Sequence, residues 1–142
     1  MTLSLLAHLK LYLIALVVFF AVDLIWLGVV AKPFYGRHLG HLLRPSVYWP
    51  AAIAFYAFFL LGLLVFVIAP SVAEGSLLRG ALLGVFFGFI TYQTYELTNW
   101  ALIKDWPSIV VWVDIAWGMA LSGIVATATT WIGRAIAARG WL

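Results

Sequence analysis

The chain is 142 residues long, 66% hydrophobic and only 9% charged, with a formal net charge of +3. A soluble domain of this length cannot hide so much apolar surface, so the composition excludes that class and points to an integral membrane protein. The absence of cysteine excludes disulfides, thiolate metal sites and thiol catalysis, and the small positive charge suits anionic lipid headgroups without calling for nucleic acid.

Four apolar runs are each long enough to cross a bilayer, and in lipid only helix satisfies their backbone groups. The first, Leu11–Val30, is too long for a typical signal-peptide core. It is followed by no small-residue cleavage site and contains Asp23, so it is read as a retained span. A connection from Ala31 to Pro50 follows. Within it Phe34, Leu39, Leu42 and Leu43 share a face, which predicts a short amphipathic interfacial helix over about residues 33–45. The other runs are Ala51–Ala69, Leu77–Ala101 and Ser108–Trp131. All five prolines (Pro33, Pro45, Pro50, Pro70, Pro107) fall between runs, where their missing N–H is tolerated. The predicted fold is all-α: an integral membrane four-helix bundle forming one transmembrane domain over residues 1–142. Orientation is undecided. Lys10, Arg79, Arg134 and Arg139 lie on one side, and Lys32, Arg37, Arg44 and Lys104 on the other.

The third run carries glycines at 80, 84 and 88 on one face, a packing groove that another helix can approach closely. The same row continues to Tyr92, Glu96 and Trp100. Glu96 sits where hydropathy expects lipid, and Asp23 and Asp114 sit in comparable places. From a rise of about 1.5 Å per residue, all three acids lie within roughly 5–12 Å of the face that holds the Ala31–Pro50 connection. An ionisable group at that depth normally faces protein or a wet cavity. The two aspartates share a context, VDLIWLG at 22–28 and VDIAWG at 113–118, with Trp26 and Trp117 each three residues after the acid. Helix 2 adds Tyr56 near the same face.

Two readings compete. In one, the acids are interhelical fasteners, hydrogen-bonded to neighbouring Tyr, Trp or Asn. In the other, Asp23, Glu96 and Asp114 line a polar pocket open to the loop face. Trp26, Trp100 and Trp117 wall it, Tyr92 and Asn99 orient a ligand, and Arg37, His38, His41, Arg44 and Lys104 form its rim. His38 and His41 have the spacing of two ligands on a helix, but that pair is more often solvated, and no metal site is assigned. Cofactors are left unknown. No nucleophile–base pair and no phosphate-binding glycine loop is visible, so the reading leans away from an enzyme.

DLIWLG (23–28), FYGRHLGHLL (34–43), TYELTN (94–99) and DIAWG (114–118) occur in this order. Together they resemble the bacterial membrane proteins of domain-of-unknown-function family two-one-seven-seven, over nearly the whole chain. In that family the acid of the TYELTN segment is often Asp, so Glu96 is a conservative departure. The resemblance implies a small multi-pass protein of a bacterial inner membrane and carries no activity with it. The leading expectation is binding or transport of a small amphiphile, lipid headgroup or cation. The alternatives are a structural or accessory subunit, with a homodimer or a membrane partner protein at the glycine row, and a lipid-modifying enzyme using a carboxyl as acid or base. Membrane lipids are expected partners in every case.

Overall fold

The computed structural model describes residues 2–142. It is all-helical, with four helices long and apolar enough to cross a membrane: α1 (Leu5–Leu39), α2 (Trp49–Glu74), α3 (Leu77–Leu102) and α4 (Ser108–Ala137). Local chemistry sets their ends. The Ser4 hydroxyl accepts the Ala7 N–H at 3.1 Å to open α1, and Ser76 does the same for Arg79 at the start of α3. Gly75, in the left-handed region at φ 69°, closes α2 and lets the chain reverse within two residues.

Two prolines lie inside helices and not between them. Pro33 belongs to α1 and Pro70 to α2, and each follows a π turn, Leu27–Ala31 and Leu64–Ile68. A proline ring presses on the carbonyl four residues earlier and donates no bond to it. Widening the preceding turn by one residue moves that carbonyl aside, so the helix continues. The separate interfacial helix expected over 33–45 is therefore corrected. Residues 32–39 are the end of α1, and only residues 40–48 form turns. At about 1.5 Å per residue, α1 is about 50 Å long and overruns a hydrocarbon core of about 30 Å. Its overhanging end carries Lys32, Arg37 and His38.

α4 is the central helix. Of its most apolar window 56% is buried within the protein, against 17% for α1 and for α3. α3 lies against it through the glycine row. A Cβ on Gly80 would sit 2.8 Å from the Thr130 hydroxyl, one on Gly84 2.7 Å from Ala126 Cβ, and one on Gly88 would run into the Gly118 carbonyl. The row is thus filled by the chain's own α4, so the packing groove expected there works within the chain. On the other side of α4, Leu11, Ala15 and Phe19 of α1 meet Leu60, Leu63, Leu64 and Ile68 of α2 in one core with Leu121, Val125 and Ala126. Large apolar side chains such as Val17, Phe58, Phe66, Leu82 and Trp131 point outward, an arrangement suited to lipid.

α2 and α3 approach each other most closely at their turn end. The second half of α2, from Leu64, packs on α3, while Trp49–Leu63 leans away from it. The two helices separate toward the loop end, and that divergence shapes the site.

Candidate functional site

The inward rows of the helices turn all three acids toward the protein interior. In α1, steps of four residues run Leu11, Ala15, Phe19, Asp23, all buried. In α3 the glycine row leads on to Tyr92 and Glu96, and Glu96 is fully buried. In α4, Asp114 lies among Val110, Val111, Ile115 and Gly118 and is half-buried.

Two of the acids receive an aromatic donor from another part of the fold. Trp106 Nε1 donates to Glu96 Oε2 at 2.9 Å. The Tyr35 hydroxyl donates to Asp114 Oδ1. Trp117 lies beside Asp23, and Trp26 beside Tyr35. The indoles of Trp26 and Trp117 stack with centroids 4.3 Å apart and planes 7° from parallel. The two Asp–x–x–Trp segments therefore meet through their stacked indoles. Tyr92 lies close to both aspartates, and Tyr56 faces Asp23.

No cation matches these acids. Among the described residues the ion pair that forms is Arg79–Glu74, at the opposite end of the bundle. The Glu96 and Asp114 carboxyls are neighbours, and Glu96 Oε1 is buried without a hydrogen-bond partner. Among the described residues no three of His, Asp and Glu converge as a metal site.

Asp114 also lines a cavity of about 430 Å³, whose other walls are Phe55 and Phe59 of α2 and Thr91, Tyr92 and Tyr95 of α3. Phe59 rings lie edge-on to Phe87 and Tyr92, at 5.5 and 6.2 Å. Its exposed walls are Phe55 on α2 and Tyr95 on α3. Toward the loop end, Leu39 packs with Trp106, Val110, Val111 and Ile115, flanked by Phe34 and Tyr35. The overhanging end of α1 is the cover over the acids.

The structure sorts the expected residues. Asp23, Trp26, Tyr92, Glu96, Asp114 and Trp117 come together. Asn99 stands outside the cavity lining. Trp100 faces outward, edge-on to Trp112 at 6.2 Å, and does not line this cavity. Among the expected rim, Arg37, His41, Arg44 and Lys104 are exposed, His38 packs on Phe34, and Arg44 sits over the Tyr48 ring. None of them lines the cavity. Tyr35, Trp106, Phe55, Phe59 and Tyr95 are the contributors that sequence reasoning left out.

The Tyr35–Asp114 bond ties the cover to α4. Tyr35→Phe deletes it without changing shape, so the end of α1 is expected to open several-fold more often, on the scale of a hydrogen bond to a charged group. Limited proteolysis within residues 40–48 reads this directly. A rate equal to that of the wild type shows that the bond does not hold the cover.

The family described as predicted membrane protein (DUF2177) matches residues 8–131, from the first turns of α1 through most of α4. No curated protein and no solved structure matches the chain.

Proposed function

We propose, for a chain that belongs to this family of predicted membrane proteins, that the cavity binds a small amphiphile with a cationic head, taken sideways from the lipid. The observation that carries the reading is that Asp114 lines a cavity whose other walls are Phe55 and Phe59 of α2 and Thr91, Tyr92 and Tyr95 of α3. A carboxylate inside a ring of Phe and Tyr faces suits an ammonium group, because the faces of the rings are electron-rich and each contact contributes about 0.5–2 kcal/mol. A volume of about 430 Å³ lies in the range of small-molecule sites. It holds a headgroup and a few methylenes, and the remaining chain of an amphiphile would lie along the diverging helices. Such a protein would work in a bacterial inner membrane, the setting its family resemblance implies, in contact with membrane lipids and with carriage of the ligand across the bilayer as its further task.

Native mass spectrometry of the protein in mild detergent tests this, with hexyltrimethylammonium as probe. A specific bound mass is expected in the wild type and is expected to fall at least tenfold in Asp114→Asn. Retention of the mass in that variant, or no bound mass in the wild type, ends the reading.

A second reading rests on a different observation. Two of the acids already accept hydrogen bonds from aromatic side chains, and such bonds alone can fasten a bundle. The chain would then be a structural or accessory subunit. Its mark is an Asp114→Asn variant that loses stability while no ligand is found in either form.

A further inference from the structure

Glu96 is fully buried, and its Oε1 has no hydrogen-bond partner. The carboxyl beside it is that of Asp114, which also faces the cavity. The ionisable groups around the pair are phenols: Tyr35 from α1, and Tyr92 and Tyr95 from α3. No Lys, Arg or His is close enough to pair with either carboxyl. Two adjacent carboxyls in such a place need positive charge beside them, as a proton or as a bound cation.

We propose that the Glu96–Asp114 pair holds one exchangeable proton and releases it when a cationic headgroup docks at Asp114, so that ligand and proton exclude each other. This rests on the binding reading above. The balance is simple. Before docking, one proton is shared by two carboxyls, with a net charge of one negative unit. On docking, one O–H bond breaks and the proton leaves to water. The ammonium takes its place beside two carboxylates, and the net charge is unchanged. Asp114 is the element common to both states, because it neighbours Glu96 and also lines the cavity. Glu96 is a positioning residue that does not touch the ligand. A binding protein of this construction takes up its ligand more readily as pH rises and discharges it as pH falls.

Calorimetric titration of the protein in nonionic detergent with hexyltrimethylammonium, in two buffers of different ionisation enthalpy, counts the protons. About one proton released per ligand is expected for the wild type at neutral pH. Glu96→Gln is expected to bind still, with release close to zero, since a single carboxylate beside an amide needs no shared proton. Saturable binding without proton release in the wild type, or equal release in Glu96→Gln, overturns the exchange and leaves the binding reading standing. No saturable binding in the wild type overturns both. A second readout needs no ligand. The infrared C=O stretch of a protonated carboxyl is expected in the resting protein, kept in Asp23→Asn and lost in Glu96→Gln. Its absence from the wild type overturns the exchange.

Discussion

Replacing Gly88 by leucine is expected to separate α3 from α4 and to leave a protein that aggregates on extraction into detergent. A Cβ at this position runs into the Gly118 carbonyl and comes within 2.9 Å of Met119 Cα. Both are backbone atoms of a helix, so no rotamer change relieves the contact, and the whole of α4 must move. Gly118 has no room to answer, because its own missing Cβ is where the Tyr92 ring lies. Overpacking that side chains can absorb costs about 1–3 kcal/mol, and here the loss should lie at or above the upper end. In lipid, where hydrophobic burial does not drive helices together, close backbone approach is a main source of their cohesion. Gly36→Leu is the control, since nothing lies within 4 Å of its added Cβ. Fluorescence-detected size exclusion after stepwise heating compares the two. An unchanged midpoint for Gly88→Leu means that the glycine row does not hold α3 to α4.

Trp106→Phe should be the costliest of the aromatic replacements. It removes the one hydrogen bond that buried Glu96 receives in the structure, from Trp106 Nε1 at 2.9 Å. Leaving a buried charged or polar group short of its donor costs about 1.5–3 kcal/mol. The same change made at Trp100, which faces outward against Trp112, is expected to stay within about 0.5 kcal/mol. If the penalty comes from the stranded carboxyl, Glu96→Gln added to Trp106→Phe should restore part of it, giving a coupling of about 1 kcal/mol in a double-mutant cycle. Thermal unfolding in detergent supplies the numbers. Equal losses for Trp106→Phe and Trp100→Phe, or a cycle with no coupling, place the role of Trp106 in packing alone.

The parts of this site that repeat at helical spacing were legible in the sequence. Asp23 stands in the row Leu11, Ala15, Phe19, and Glu96 in the row of the three glycines, so their inward direction follows from their neighbours. Tyr35 was hidden by the π turn. It lies twelve residues after Asp23, which at about 100° per residue puts it about 120° away on a straight helix. One extra residue taken up at Leu27–Ala31 brings it to about 20°, the side of Asp23 and Asp114. Periodicity read across Pro33 therefore points Tyr35 away from the pocket, and a proline inside an apolar helix is the available warning. Trp100 failed for the opposite reason. A step of four overshoots the helical turn by about 40°, and beyond Glu96 the row rotates out of contact with α4. Trp106 has the composition of a headgroup anchor. It is turned inward by the tight connection in which Asp105 takes a positive φ of 60°, and no periodicity reports that. The cavity depends on how far two helices diverge, a property of the assembled bundle and not of any one segment.

The gap between α2 and α3 changes what affinity means for this protein. A solute that reaches Asp114 from the side is drawn from the bilayer, so its occupancy follows its mole fraction among lipids and not its concentration in water. Partition does most of the gathering, with each methylene placed in hydrocarbon contributing about 0.8 kcal/mol before any contact with the protein. Modest interactions at the aromatic walls are then enough to fill the site in a membrane. On the binding reading proposed above, the same site would empty during purification, as each wash with detergent dilutes the two-dimensional solvent from which it was supplied.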